Sequence, residues 1–435
     1  MINDTILIIG AGAAGLMAAK DLSAKGEKVV ILEARNRLGG RIHTEHDAAF
    51  SSHIELGAEF VHGELPVTMG ILNEAGIQLY RTGGEMWQVK DGELEQEDHF
   101  IDHWKLFEER IQEVKEDITI NEFLHEYFSD DKYASLRESV RGYAAGYDTA
   151  DPDKASTLAL REEWLDEDEG GQYRLPAGYG QMVNYLAETC EKQGCTIYLQ
   201  TVVKQIEWQK DAVTIVATNG EIYQGKKLII TLPINVLQAD ANEPGAITFS
   251  PALPHIMDAV KKMGMGAIIK ILFEFKSAFW REGEFTERMG KNMEHVGFVL
   301  SDEIIPTWWT QYPDPAPLLT GWLGGPNAKN YEHTSNETIC ELAVTSLAVI
   351  FKTSAEYIRQ QLVAWKVVNW TADIYCKGSY FYATVAAKEA RKVLNTPVDD
   401  TIYFSGEAMY DGPEMGTIEA ALASGTDVAK KVLYK

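Results

Sequence analysis

The sequence predicts an α/β protein of two domains, one of them a Rossmann-like unit assembled from separated stretches of chain. Three observations carry this expectation. The chain opens as strand, glycine turn, helix and strand; its C-terminal stretch repeats that order; and the middle alternates helical with β-rich segments over a chain of 435 residues, too long for one core.

The apolar run TILIIG ends at Gly10 and reads as a strand. The small residues of AGAAGLMAAKDLSAKG then start a helix that Gly26 stops, and KVVILE is a second strand ending at Glu33. At the other end TIYFSGE is a strand running into a loop, and GTIEAALASGTDVAKKVL is a terminal helix. Between them, Ile101–Leu124 and Gln181–Lys192 read as helical, and Thr196–Trp208, Ala212–Ala217, Lys227–Thr231 and Ala267–Phe275 as β-rich. Strand–glycine–helix units at both ends place the termini in one domain. The division expected is 1–75, 175–255 and 374–435 for that domain, with 76–174 and 256–373 forming the other.

Composition narrows the classes. Hydrophobic residues make up 45% and charged residues 24%, an ordinary globular balance. A net charge of −25 with no basic patch argues against nucleic acid and favours encounter with cations such as amines. No apolar run approaches the roughly 20 residues of a membrane helix, so no membrane partner is expected. Asp4 precedes the first apolar run without a basic region, which leads to a cytoplasmic expectation. Cys190, Cys195, Cys340 and Cys376 form no C-x-x-C pair, so buried idle thiols are expected and no metal site.

Gly10, Gly12 and Gly15 form G-x-G-x-x-G between a strand and a helix. Gly10 allows the tight turn, Gly12 lets backbone approach a pyrophosphate, and Gly15 lets helix and strand pack closely. Ala14 lies inside the turn, whose helix N-terminus offers free N–H groups to phosphate. Glu33, at the end of the second strand, is placed to accept from ribose hydroxyls. The segment EARNRLGGR continues with Ala34, then Arg35, Arg37 and Arg41 around Gly39 and Gly40. Such arginines would neutralise the pyrophosphate from its other side; a solvated basic loop is the alternative.

E-A-R-x-R-x-G-G-R directly after this βαβ unit resembles the flavin-containing amine oxidase family, the monoamine and polyamine oxidases and their relatives. ELGAEFVHG (Glu55–Gly63) is similar to the family's segment along the flavin, most closely in the polyamine oxidase branch. TVVKQIEW, LTGWLGGPNA, NWTADIYCKGSYFY and YFSGEAMYDGPEMGTIEAALASG follow the family's remaining blocks in order. The resemblance implies a two-domain flavoprotein, with FAD in the discontinuous Rossmann-like domain and a mixed sheet with helices forming the substrate domain. It implies oxidation of an amine, polyamine-type slightly favoured, to an imine that hydrolyses to an aldehyde, with oxygen reduced to hydrogen peroxide. An L-amino-acid oxidase and a non-catalytic flavoprotein are the rivals.

The same resemblance places Gly57, Ala58 and Glu59 beside the flavin, Val203 at the adenine, and Gly406 and Glu407 at the ribityl or ribose hydroxyls. Thr417 and Ile418 open the last helix towards the flavin's N1–C2=O edge. Lys270 stands in the apolar run AIIKILFEF. A lysine there is either buried or snorkelling to a strand end; the resemblance implies that it holds a water against flavin N5. Trp370 and Tyr380 are core aromatics or, by resemblance, walls of an aromatic cage whose second tyrosine is replaced by Thr417. Ser379 stands where animal monoamine oxidases carry the cysteine bonded to flavin, which implies non-covalent FAD. His62 is a surface or core histidine, or lines the substrate channel; Glu59 binds a substrate ammonium or faces solvent. The acidic stretch Arg161–Tyr173 reads as a solvated loop, or as a vestibule for polycations.

Overall fold

Strand Ile6–Ile9 is buried on both faces, as a continuous apolar run in a parallel sheet must be. In this computed structural model, which describes residues 4–434 except 64, 91, 97–100, 102 and 166–170, it is the centre of a five-stranded parallel sheet. The order is Thr196–Tyr198, Val29–Leu32, Ile6–Ile9, Lys227–Ile230, Ile402–Phe404. Both chain ends therefore enter one sheet. Ile6 and Ile8 point into a core shared with helices Ala13–Ser23 and Gly180–Lys192. Leu7 and Ile9 point the other way, against Leu228, Ile230 and Ile234. The terminal helix Ile418–Leu433 lies so close to the first that a Cβ on Gly425 would fall 2.5 Å from the Ala14 carbonyl oxygen.

A seven-stranded mixed sheet holds Lys270. Its order is Leu362–Asn369, Ile268–Phe275, Leu318–Gly324, Thr307–Trp309, Val296–Leu300, Glu85–Lys90, Glu93–Gln96. All neighbours are antiparallel except Val296–Leu300 with Glu85–Lys90. Every residue of Ile268–Phe275 is buried, Lys270 included, so the snorkelling alternative does not apply. A short sheet of Val61–His62, Gln172–Arg174 and Tyr80–Arg81 brings Arg174 towards Glu59.

Two local expectations need correction. The helical stretch Ile101–Leu124 is two helices, Trp104–Glu113 and Ile120–Tyr127. The break has a sequence cause: Thr119 and Glu122 form a reciprocal capping box that starts the second helix. The acidic stretch Arg161–Tyr173 is not simply a loop, since helix Thr157–Trp164 enters it and strand Gln172–Arg174 leaves it. Its most acidic part, residues 166–170, lies outside the described residues.

Candidate active site

One cavity of about 2170 Å³ runs from the first glycine turn to the seven-stranded sheet. Of the residues that the sequence assigns to cofactor or chemistry, all line it except Gly15 and Arg37: Gly10, Gly12, Ala14, Glu33, Ala34, Arg35, Gly40, Arg41, Gly57, Ala58, Glu59, His62, Val203, Lys270, Trp370, Tyr380, Gly406, Glu407, Thr417 and Ile418. Gly15 lies beneath, where its Cβ would sit 2.0 Å from the Gly10 carbonyl oxygen.

The glycine end fits a dinucleotide. A Cβ on Gly12 would project to within 3.9 Å of only the Gly39 carbonyl oxygen, so the backbone is open to an approaching ligand. Helix Ala13–Ser23 has Gly12 as N-cap, no side-chain cap and no acid in its first turn, leaving its N–H groups and positive dipole end for a phosphate. Helix Ile418–Leu433 also presents its first residue to the cavity, with Thr417 as N-cap accepting from the Ala420 N–H.

The charged groups here are arranged differently from the expectation. Glu33 is fixed by the N–H groups of Ala11 (2.8 Å) and Arg35 (2.9 Å). Arg35 forks onto Asp373 at 3.0 and 2.5 Å and stacks near Trp370 and Tyr375. Arg37 donates to the carbonyls of Leu38, Gly40 and Ile42 and does not line the cavity. Arg41 donates to the Ser379 carbonyl and the Glu407 carboxylate, each at 2.7 Å. Through these bonds the arginines brace the loops of the cradle. Glu407 is likewise engaged, by Arg41 and by the Phe381 N–H. A cradle loop that donates its guanidinium groups to its own carbonyls and acids is rigid before any ligand arrives.

At the far end Lys270 donates to the Gly57 carbonyl (3.1 Å) and to Glu59 (2.8 Å). Glu59 is buried and neither faces solvent nor awaits a substrate ammonium: its second oxygen takes Arg174 at 2.9 Å and the Trp309 indole N–H at 3.1 Å. Burial opposes its charge, but Lys270 and Arg174 together pull its pKa down to about 2. Arg174, Trp309 and Gln311 had no signal in the sequence, because their partner lies far away in the chain. Glu55 accepts from the Tyr179 N–H and the Thr44 hydroxyl, yet burial pushes its pKa up to about 7.

The aromatic residues divide. Trp370 is buried and anchored through its indole N–H to the Leu56 carbonyl at 2.8 Å, while Tyr380 is half-buried and donates to the Tyr147 carbonyl. His62 opens to the cavity, faces Tyr147 edge-on at 6.4 Å, and has its pKa lowered to about 4 by the surrounding protein. Ser379 is buried and shares a hydrogen bond of 2.5 Å with Thr149. Cys376 is buried with its thiol pushed up to about 11, a poor nucleophile.

A parallel α/β sheet with a glycine turn opening on a long cavity, roofed by a mixed sheet carrying a buried lysine, defines a two-domain dinucleotide-binding oxidoreductase. The sequence model of the flavin containing amine oxidoreductases matches residues 13–92 and 85–433, and the chain belongs to that family. It is similar to polyamine oxidase 2 of Arabidopsis thaliana, 26% identical over 100% of this chain and 89% of that protein. It is also similar to lysine-specific histone demethylase 1 homolog 2 of Oryza sativa subsp. japonica, 24% identical over 99% of this chain and 57% of that protein. In fold it is similar to putrescine oxidase solved with putrescine bound (TM-score 0.81, 19% identity, 99% of each chain). Cyclohexylamine oxidase from Brevibacterium oxydans has a TM-score of 0.80 at 20% identity, covering 99% of this chain and 98% of that one.

Proposed function

We propose that the chain oxidises a cationic, polyamine-type amine with non-covalently bound FAD and molecular oxygen as acceptor. The net reaction takes the amine to an imine, which hydrolyses to an aldehyde plus an amine or ammonia, while oxygen is reduced to hydrogen peroxide. The observation that carries this reading is the single cavity joining the Gly10–Gly12 turn to Lys270, Tyr380 and His62. Bound FAD would supply the two-electron oxidation of the C–N bond.

The protein's part is binding, orientation and electrostatics. Gly10, Gly12 and Ala14 hold the pyrophosphate by backbone, and Glu33, Ala34 and Val203 lie at the adenosine end. Gly40, Arg41, Gly57, Ala58, Gly406 and Glu407 line the middle, with Thr417 and Ile418 at the helix start that favours negative charge on the flavin ring. Lys270 offers the N–H not spent on Gly57 or Glu59 to a water or oxygen. Tyr380 and Trp370 provide apolar faces along which a neutral amine is oriented. His62, whose pKa the surrounding protein lowers, offers a ring nitrogen to the approaching amine.

Two observations support cationic substrates. The outer wall of the cavity carries Glu108, Glu138, Asp148, Asp302 and Glu303 against Lys90, Lys105 and Arg141. The net charge of −25 acts in the same direction over longer range. Ser379 and the high-pKa Cys376 thiol support non-covalent cofactor. The segments 1–75, 175–255 and 374–435 would form the cofactor domain, and 76–174 with 256–373 the substrate domain. The test uses two samples of the holoprotein, one precipitated with acid to release the flavin and one assayed in native form for peroxide over mono-, di- and polyamines. Free FAD in the supernatant and peroxide with a di- or polyamine are expected; flavin that stays with the precipitated protein sinks the non-covalent assignment, and peroxide only with amino acids sinks the substrate class.

A further inference from the structure

Glu59 occupies a wall between two cavities. The large one holds Lys270; a second, of about 480 Å³, is lined by Arg174, Glu55, His53, Tyr80, Asp314 and Thr320 among others, and Glu59 is the one residue lining both among those described. Its two oxygens are divided accordingly: Oε2 takes Lys270, Oε1 takes Arg174 and Trp309. Arg174 is itself anchored away from the large cavity by the Thr82 hydroxyl and the Thr310 carbonyl, and lies over the Phe60 ring at 4.5 Å. The carboxylate is thereby held from behind, and with it the position of the ammonium in front.

A lysine of 1% exposure, in a strand whose one other charged residue is Glu274, would lose its proton readily if isolated, since desolvation disfavours its charged form. Here it does not stand alone. A carboxylate at 2.8 Å and a carbonyl at 3.1 Å accept two of its three protons, and the Trp309 ring lies 5.5 Å away. We infer that Glu59 is a positioning residue that keeps Lys270 a fixed ammonium aimed into the large cavity, so that Lys270 acts as a cation and hydrogen-bond donor and never as a base. This rests on the proposal that the flavin lies in that cavity against Lys270. The other charged or titratable groups around the pair are Arg174, Glu55, whose carboxyl burial pushes up to about 7, His53 and Asp314 across the smaller cavity, and Glu274 further along the strand of Lys270.

The pair can be read through the pH dependence of the bound flavin's two-electron midpoint potential, which needs no turnover. The measurement is made throughout on a Glu55→Gln background, because that carboxyl titrates near 7 beside the pair; there a permanent ammonium predicts one straight line from about pH 6 to 9. Glu59→Gln keeps the shape and an accepting oxygen but removes the charge. Lys270 should then titrate within that window, as buried lysines without partners do, and the line should break. Arg174→Met leaves Glu59 in place and should keep the unbroken line, which separates loss of the carboxylate from general disturbance of the cluster. If Glu59→Gln alone does not fold because Arg174 is left uncompensated, Glu59→Gln with Arg174→Met replaces it, and the break is expected there too. Lys270→Met is the reference: it should lower the potential and abolish any break.

An unbroken line in both Glu59→Gln proteins, with a shifted potential in Lys270→Met, would overturn the role given to Glu59. No change of potential in Lys270→Met would instead overturn the placement of the flavin against Lys270.

Discussion

The two ends of the cavity are built by opposite means. At the glycine turn the anion partners are backbone N–H groups, and the nearby charges of Arg35, Arg37 and Arg41 are consumed by Asp373, carbonyls and Glu407. At the sheet end the group facing the cavity is a side chain, Lys270, kept by a chain of buried charges through Glu59 to Arg174. A cofactor can be cradled by main chain, whose geometry is set by local conformation. A lone cation in a core strand has to be compensated by other side chains, which the fold must bring from elsewhere.

The largest effect that distinguishes the ends should come from Glu59→Leu. It strands Lys270 and Arg174 without their carboxylate, and unfolding should be easier by about 3–5 kcal/mol, as for other broken buried ion pairs. Urea denaturation of apoprotein measures this. A loss under 1 kcal/mol would mean that the two cations find other compensation.

Next is the pH response of Glu55. Its folded pKa of about 7 lies above the usual 4.5, so between those values the folded state holds a proton the unfolded chain has released. Stability then falls as pH rises from about 4.5 to 7, by up to roughly 3 kcal/mol. Glu59, pulled down to about 2, contributes in the opposite sense and in a separate window, losing its contribution as pH falls from 4.5 towards 2. Glu55→Gln should flatten the decline between 4.5 and 7; the same slope in both proteins would remove Glu55 as its cause.

Gly15→Ala tests the backbone end. Its methyl would meet the Gly10 carbonyl oxygen at 2.0 Å, forcing helix and strand apart at a cost of about 1–3 kcal/mol. Flavin content should fall with stability, because the same turn makes the phosphate site. Retention of full flavin after a normal purification would contradict the cradle. The smallest effect is Thr417→Ala, which removes the hydroxyl accepting from Ala420 at 3.2 Å and should cost about 1 kcal/mol in thermal unfolding of the apoprotein.

Sequence legibility followed the same division. The strand–turn–helix around Gly10, Gly12 and Gly15 could be read because its geometry depends on neighbours a few residues apart. The terminal helix from Ile418 could be read for the same reason, and Thr119 with Glu122 announced a helix start that a search for apolar periodicity alone passes over. The partners of the arginines could not be foreseen. Arg41 and Glu407 meet because Val29–Leu32 and Ile402–Phe404 join one sheet, and Arg35 meets Asp373 because the loop after Leu362–Asn369 of the other large sheet folds back on the cradle. For Glu59 the sequence left substrate ammonium or solvent as partners, because its pairing with Arg174 depends on a three-stranded sheet formed by residues 61–62, 80–81 and 172–174. Lys270 announced itself as an oddity in an apolar run, but what compensates it did not.

The most direct test of an amine-oxidising flavin site spanning both ends is anaerobic mixing of purified holoprotein with a saturating diamine or polyamine, followed by visible absorbance. The yellow flavin band should bleach fully, about one substrate per flavin, and return when air is admitted. A band that no amine in a broad panel bleaches would contradict the account, even in a protein that binds FAD in full.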